Sequence, residues 1–342
     1  MPIVQAPLAG GASTPALTAA VVDAGAFGFV AAGYKSTYAL RDDIRATRAL
    51  TTAPFGVNVF VPGRPTGRAS YARYIEALRD EAGRQGVALG EPRFEDDAWE
   101  AKLMLLEDDP VAAVSFTFGC PPAEVVARLQ GVGSSVWVTV TDVDEARRAA
   151  AAGADVLIVQ GIEAGGHRAS FVDVEGAGEF GLLALLQLVG AHTDLPLVAS
   201  GAIASGGAVA AVLCAGAQAA QLGTAFMRCP EAGTSPAHRA ALAAPAPTRL
   251  TRAFTGRQAR GIVNRFLSEH SDDAPLAYPE IHHVTAPLRA AGRAADDPDM
   301  INLWAGQAHE LAREAPAGEV VAALAAEASE RLEAARRALE PS

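Results

Sequence analysis

A histidine that follows a buried strand and a glycine-rich turn is the residue best placed for chemistry. Residues 155–160 are mostly β-branched or aliphatic and are apolar on both faces, which predicts a buried parallel strand ending at Gln160. Gly165 and Gly166 let backbone pass close to a bound group, and the imidazole of His167 comes next. Chemistry in α/β proteins lies at such strand ends. The pattern therefore predicts a site, although a loop histidine facing water would give the same sequence.

Two later turns favour an anionic ligand. A strand at 196–200 runs into a glycine turn that opens a helix, and a strand at 217–222 ends in a second such turn. Free backbone N–H groups and a helix N-terminus after the last two strands of a barrel commonly hold phosphate. Simple tight turns would look the same, and no P-loop or strand-linked GxGxxG motif occurs. The residues expected to hold the phosphate are Gly201, Ala202, Gln221, Leu222, Gly223 and Thr224.

The alternation of strand and helix patterns predicts an α/β fold, a (β/α)8 TIM barrel spanning residues 1–247. An inserted helical segment is expected at about 62–110, and residues 248–342 are expected to form a C-terminal helical extension that packs on the barrel as a lid. Helices are predicted there at 257–269, 281–291, 300–313 and 318–339, the last a solvated amphipathic helix that could contact a second copy of the chain. The predicted strands are 3–6, 27–31, 55–60, 111–118, 135–140, 155–160, 196–200 and 217–222.

Composition excludes several classes of protein. The 342 residues are 50% hydrophobic and carry a formal charge of −11, with no Lys/Arg-rich block, which argues against a nucleic-acid partner. No apolar run is long enough for a bilayer, and the start lacks a secretory pattern. The three cysteines match neither a disulfide framework nor a zinc spacing, and the neighbouring His282 and His283 make a poor metal pair. We therefore expect a cytoplasmic protein without a metal.

Several motifs in order along residues 2–310 resemble the nitronate monooxygenase family, formerly called 2-nitropropane dioxygenases. The motifs are Gln5-Ala-Pro-Leu-Ala-Gly-Gly11, Val57-Asn-Val-Phe-Val-Pro62, Val114-Ser-Phe-Thr-Phe-Gly119, Gln160-Gly-Ile-Glu-Ala-Gly-Gly-His167, Gln221-Leu-Gly-Thr-Ala-Phe226 and Gly261-Ile-Val-Asn-Arg265.

The resemblance implies an FMN enzyme that oxidises alkyl nitronates with O2 to a carbonyl compound and nitrite. It implies that His167 is the active-site histidine and that the two later turns hold the FMN phosphate. From the residues alone, Asn58 could equally be a satisfied buried amide. The remaining residues that the resemblance assigns to the flavin are Ala9, Gly10, Asn58, Gln160, Gly165 and Gly166.

The chain departs from the family pattern at two positions. Thr117 stands where many members have a histidine, and because a hydroxyl cannot carry charge, the preferred substrate is in question. Ala202 stands where a second glycine is common, but a backbone N–H contact survives that change. The segment 302–307 resembles one that returns toward the flavin, so Trp304 and Gln307 are expected to help close the pocket, with core packing the alternative for Trp304.

Two other functions stay open at this stage. A flavin enoyl-thioester reductase of the same broad superfamily would need NAD(P)H to reduce its flavin. A barrel that binds a phosphorylated ligand without catalysis would show no flavin, although simple binding does not require a titratable group at His167.

Overall fold

Eight parallel strands close into a barrel at the centre of the protein, seen in a computed structural model that describes residues 1–176 and 178–340. The predicted (β/α)8 barrel is confirmed. The first strand pairs with the last, which closes the ring. The barrel strands in spatial order are β1 (Ile3–Gln5), β2 (Phe27–Ala31), β3 (Gly56–Phe60), β4 (Ala113–Thr117), β5 (Ser135–Val140), β6 (Val156–Gln160), β8 (Leu197–Ser200) and β9 (Ala219–Leu222).

Three short strands form a second sheet beside the barrel mouth. β10 (Thr248–Thr251) pairs antiparallel with β11 (Ala259–Ile262), and β11 pairs with β7 (Gly166–His167). Ala259 lies opposite His167, and this pair defines the register between β11 and β7. The turn expected to carry the histidine is therefore a strand held by the C-terminal part of the chain.

Helices cover the outside of the barrel, and several begin at capping side chains that accept a backbone N–H. Thr14 caps α1 with Pro15 at its first turn, and Asp142 and Ser205 cap α7 and α9. The helices are α1 (Pro15–Asp23), α2 (Thr37–Leu50), α3 (Ala72–Ala77), α4 (Arg79–Gln85), α5 (Trp99–Asp108), α6 (Ala123–Gly131), α7 (Val143–Ala151), α8 (Leu182–Gly190), α9 (Gly206–Cys214), α10 (Pro236–Ala243), α11 (Arg265–His270), α12 (Glu280–Ala294) and α13 (Ala317–Leu339).

The C-terminal helix α13 completes the ring of barrel helices, packing against α9 and α1. Val321 and Leu324 are buried in the same apolar cluster as the strands β6, β8 and β9. A Cβ atom on Gly206 would lie 2.2 Å from Cβ of Glu327, so only glycine permits this approach. The helix was predicted to be solvated or to contact another subunit, but its apolar stripe packs against the barrel of the same chain.

The segment 62–110 divides into two parts with different roles. α5 lies between α2 and α6 and buries Leu103 and Leu106 against β3 and β4, so it serves as a barrel helix. α3 and α4 instead share an apolar core with the C-terminal region, including Tyr74, Phe254 and Ile281. The insertion and the C-terminal region therefore support each other above the barrel mouth. The domain boundary at residue 247 stays a prediction.

Two predicted helices are wrong. Residues 257–269 contain the strand β11 before the short helix α11, because β11 pairs with two distant strands that no local pattern reveals. Residues 300–313 are mostly extended, with a single 3₁₀ turn at His309–Leu311. Trp304 pairs with Gly261 through a β-bridge, and this long-range pairing overrides the helical pattern.

Within the two described ranges, no helix is both long and apolar enough to cross a bilayer.

Candidate active site

A cavity of about 440 Å³ opens at the carboxyl ends of the barrel strands. This volume lies within the usual range for pockets that bind a cofactor or a small molecule. The predicted site residues that line it are Ala9, Gly10, Asn58, Thr117, Gln160, Gly165, Gly166, His167, Gly201, Ala202, Gln221, Gly223, Thr224 and Trp304.

Two predicted site residues lie elsewhere. The side chain of Leu222 is buried in the core behind the barrel wall, because alternate residues of β9 point to opposite faces. Gln307 is exposed outside the cavity, and its backbone N–H donates to the carbonyl of Glu163. The segment 302–307 thus reaches the cavity through Trp304 and not through Gln307.

His167 is held at the cavity wall by two strands and by the turn between β10 and β11. Gln160 Nε2 donates to the backbone carbonyl of His167 at 3.1 Å, and β11 pairs with its backbone. The ring Nε2 lies 2.9 Å from Thr255 Oγ1, whose hydroxyl donates to the carbonyl of Arg257 at 3.1 Å. We assign the ring hydrogen to Nε2, because Thr255 then accepts from the ring while its own hydrogen serves the carbonyl of Arg257, and this assignment places the lone pair on Nδ1. Nδ1 has no hydrogen-bond partner among the described residues.

Burial, together with the positive charge of Arg257 and Arg289, lowers the pKa of His167 to about 3. The imidazole is consequently neutral at physiological pH. A neutral ring with an open Nδ1 can accept a proton, whereas an imidazolium could not. The same two guanidinium groups attract an anion to this part of the cavity.

Arg257 and Arg289 are both at least 90% buried, and neither is in a salt bridge within the described part of the chain. Arg257 donates to the carbonyls of Ser170 and Arg168 and lies 4.1 Å from the ring centre of Phe118. Arg289 donates through Nη2 to the carbonyl of His282 at 2.7 Å, while Nη1 has no partner among these residues. Since Arg289 also lines the cavity, its free N–H groups face the ligand space.

Asn58 is both a hydrogen-bonded buried amide and a residue of the cavity lining, the two roles that the sequence leaves open. Its Nδ2 donates to Ser115 Oγ at 2.9 Å and to Thr117 Oγ1 at 3.0 Å, so the amide nitrogen is satisfied inside the barrel. The residue also lines the cavity, where Oδ1 has no partner in the part of the chain described. The Thr117 hydroxyl is consequently engaged with Asn58 and offers a ligand no charge.

The predicted phosphate turns lie together at one end of the cavity. Ala202 adopts φ of +49°, a left-handed conformation that glycine takes more readily. Thr224 Oγ1 accepts the backbone N–H of Gly306 at 3.1 Å, which ties the returning segment to this end. Gln221 Oε1 is buried beside the cavity and has no hydrogen-bond partner among the described residues. A buried acceptor of this kind fits a ligand that brings an N–H or O–H donor.

Gly165 is required by the protein itself as well as by any ligand. A Cβ atom there would lie 2.4 Å from the backbone nitrogen of Gly306, so the glycine lets the segment 305–306 pass over the turn. Trp304 is next to this segment. Its ring centre lies 5.6 Å from that of His167 and 5.5 Å from that of Phe254. Trp304 therefore both lines the cavity and packs in the core.

The sequence does not indicate several residues at or beside the cavity, because they come from segments that are far apart in the chain. The clearest available signal is on α12, where His282, Thr285 and Arg289 are spaced so that three polar residues share one face of the helix. The residues in this group that line the cavity are Tyr34, Thr255, His282 and Arg289. Arg257 and Tyr278 are not part of the lining but pack against Phe118 and His167, which are.

Glu81, Glu269 and His270 form a group that could in principle bind a metal ion, remote from the cavity lining. Arg265 already bridges both carboxylates, at 2.8 and 2.9 Å, and lowers the pKa of Glu81 to about 2. Guanidinium groups therefore supply the positive charge that these carboxylates need.

The closed barrel, with a cavity at the carboxyl ends of its strands, gives the chain the architecture of the (β/α)8-barrel enzymes. The family model described as nitronate monooxygenase matches residues 1–327. The chain belongs to the nitronate monooxygenase family, as its motifs predict.

Relatives and solved structures agree with this assignment. The chain is 42% identical to a nitronate monooxygenase of Pseudomonas aeruginosa over 95% of each chain. It is similar to the crystal structure of a nitroalkane oxidase from Streptomyces ansochromogenes, at 51% identity and a TM-score of 0.96, covering 99% of this chain and 98% of that one. FabK from Thermotoga maritima, at 24% identity and a TM-score of 0.78 over 99% and 96% of the chains, shows the fold alone.

Proposed function

We propose that the protein uses FMN to oxidise alkyl nitronates with O2, giving a carbonyl compound and nitrite. The observation that carries the proposal is the neutral imidazole of His167, open at Nδ1 and flanked by two buried arginines at the mouth of the barrel. Relatives named nitronate monooxygenase and a neighbour named nitroalkane oxidase support it.

The cavity has the groups that FMN requires. The turns at 201–202 and 223–224 would hold the phosphate through backbone N–H groups. Asn58, Gln160 and Gly165 would lie on the ring side, with Ala9 and Gly10 along the opposite wall. The unpaired Oε1 of Gln221 would accept a hydrogen bond from a donor of the cofactor. When bound, FMN supplies the electron acceptor for the substrate and the group that reacts with O2.

The arginines account for the choice of an anionic substrate. A nitronate carries its charge on two oxygens, and Arg257 and Arg289 provide positive charge in a buried environment where it is weakly screened. Arg289 lines the cavity and its Nη1 has no partner among residues 1–176 and 178–340, so this nitrogen can donate to such an oxygen. The site thus binds an anion without a protonated histidine.

His167 extends the reaction to neutral nitroalkanes. Its Nδ1 lone pair can accept the proton on the carbon that bears the nitro group, which generates the nitronate in place. The negative charge formed beside the ring raises the pKa of the imidazole, so that His167 can hold this proton. The hydrogen bond from Nε2 to Thr255 keeps the ring in the tautomer that this step needs. Phe118 and Trp304 pack against the imidazole and exclude water from it.

The other two functions find no specific support. An enoyl-thioester reductase rests on likeness of fold alone, since the FabK similarity is at 24% identity. A barrel that only binds a phosphorylated ligand leaves the buried imidazole and its tautomer-fixing hydroxyl without a purpose.

Anaerobic mixing of the flavin-loaded protein separates these functions. We expect nitroethane nitronate to bleach the flavin absorbance, NADPH to leave it unchanged, and readmitted O2 to restore it with release of nitrite. Rapid bleaching by NADPH without nitrite from any nitronate would overturn the proposal in favour of a reductase. A protein that binds no flavin at all would favour the binding barrel.

A further inference from the structure

A thin layer of aromatic rings separates the main cavity from a second, smaller one. Tyr34, Phe60 and Phe118 line both cavities. The second cavity measures about 20 Å³, enough for about one water molecule. We call these three residues the aromatic partition.

The rings of the partition are packed together. The ring centres of Tyr34 and Phe60 are 5.4 Å apart, and those of Phe60 and Phe118 are 4.5 Å apart. The hydroxyl of Tyr278 donates to that of Tyr34 at 3.1 Å, and the phenol of Tyr34 stacks on His282 at 4.2 Å with an angle of 3°. The layer is continuous, so a ligand in the main cavity meets it as a wall.

The partition stands beside the reacting end of the cavity. Phe118 meets the imidazole of His167 edge-on, with ring centres 5.5 Å apart, and Tyr278 lies 5.7 Å from the same ring. A nitronate bound near His167 and Arg289 would therefore direct part of its alkyl chain toward these rings.

A buried ion pair from the segment 62–110 holds the partition in place. Asp97 Oδ1 accepts the backbone N–H of Tyr34 at 3.0 Å, and the Asp97 carboxylate lies 2.7 Å from Nζ of Lys102. Lys102 is fully buried and also donates to the carbonyl of Ala32 at 3.0 Å. Tyr34 has φ of +66°, a conformation that a bulky residue keeps only when its surroundings impose it. The wall is thus fixed and does not act as a mobile flap.

We propose that the aromatic partition, and Tyr34 above all, sets the upper limit on the length of the alkyl chain that the substrate can carry. This inference rests on the proposed oxidation of nitronates. Removal of the Tyr34 ring would join the two cavities and leave an apolar space beside Phe60 and Phe118 for a longer chain. The lining of the smaller cavity also includes Glu95, Asp96 and Asp97, so the gain is limited to the space that the ring vacates.

The size of the effect follows from the burial of methylene groups. Each additional methylene that occupies the space vacated by the Tyr34 ring should raise kcat/KM about fourfold. Two such groups should change the preference for a long over a short nitronate by roughly 15-fold.

The test compares kcat/KM for the nitronates of 1-nitrohexane and nitroethane in holoenzyme variants of equal flavin content. Tyr34→Gly removes the ring and suits a positive φ, and Tyr34→Asn, which also tolerates that conformation, is the second variant. Tyr34→Phe keeps the ring but loses the hydroxyl, and Tyr38→Ala changes a tyrosine that is 78% exposed on α2. We expect the ratio to rise at least tenfold in Tyr34→Gly and Tyr34→Asn and to stay within twofold of wild type in the two controls.

Binding of unreactive anions gives a readout that does not depend on turnover. Acetate and hexanoate carry a planar anionic group like that of a nitronate, and their dissociation constants can be measured from changes in the flavin spectrum. Hexanoate should bind more tightly to Tyr34→Gly than to wild type, with acetate unchanged. Wild-type protein that releases no nitrite from any nitronate would refute the proposed function, while these constants would still test the partition.

Two results would overturn the inference. The first is a wild-type ratio and wild-type hexanoate binding in whichever of Tyr34→Gly and Tyr34→Asn folds with flavin. The second is an equal rise of the ratio in Tyr34→Phe, which would assign the effect to the hydroxyl and not to the ring.

Discussion

The imidazole Nε2 of His167 lies 2.9 Å from Oγ1 of Thr255, a residue 88 positions further along the chain. The hydroxyl donates in turn to the carbonyl of Arg257, which leaves it free only to accept from the ring. A single threonine therefore determines which ring nitrogen of His167 can take a proton.

Thr255→Val tests this arrangement because it removes the acceptor while keeping the shape of the side chain. We expect kcat/KM for neutral nitroethane to fall by about tenfold or more, since the ring can then rotate or change tautomer. Flavin content should be unchanged. Thr255→Ser restores a hydroxyl and should recover most of the activity, whereas equal loss in both variants would assign the effect to packing.

His167→Asn tests the histidine itself. The variant should retain flavin but lose roughly 10²-fold or more in kcat/KM for neutral nitroethane, because no base is left at the cavity wall. The loss should be smaller with the preformed nitronate, which needs no deprotonation. Unchanged turnover of the neutral substrate would remove His167 from the mechanism.

The lowered pKa of His167 predicts an unusual pH profile. Burial and the two nearby arginines bring this pKa to about 3, so the proton-accepting form persists well below the ordinary value of 6.5. kcat/KM for neutral nitroethane should therefore show no fall from His167 protonation between pH 7 and pH 5. A tenfold decline per pH unit below 6.5 that is absent from His167→Asn would show that the imidazole titrates as in water.

Gln221→Glu tests the flavin end of the cavity. Gln221 Oε1 is buried without a partner among the described residues, and the substitution places a negative charge there, close to the expected phosphate. We expect the dissociation constant for FMN to rise by about tenfold or more. Gln187→Glu makes the same change at an exposed position on α8 and should have no effect. Equal FMN affinity in all three proteins would contradict the placement.

Ala202→Gly should stabilise the protein. A residue with a Cβ costs about 1–2 kcal/mol in the left-handed conformation that Ala202 adopts, and glycine gives back about 0.5–1 kcal/mol through the entropy of the unfolded chain. The net gain in the free energy of unfolding should be about 0.5–1 kcal/mol in urea titrations. A less stable variant would show that the alanine methyl makes a compensating contact.

The barrel could be predicted from the sequence because each of its strands is a short apolar run next to a helix. Residues 27–31 and 135–140 match the observed strands residue for residue. β11 and the segment that contains Trp304 could not be predicted, since their conformation depends on pairing with residues far away in the chain. Local patterns carry no information about such partners.

The site residues likewise fall into those that the sequence could indicate and those that it could not. His167 and Gln160 follow one another in a strand-and-turn pattern, so the sequence could indicate them. Thr255, Arg289 and Tyr34 come from three separate segments, and only the fold brings them to one cavity. Motif resemblance supplies the flavin contacts, but it gives neither the tautomer of His167 nor the partition.

The most direct test of the account is a crystal structure of the protein with FMN bound. We predict the phosphate on the turns at 201–202 and 223–224, the flavin ring between Asn58 and Gln160, and the imidazole of His167 facing that ring with Nε2 on Thr255. A flavin bound outside this cavity, or an imidazole turned away from the ring, would contradict the account.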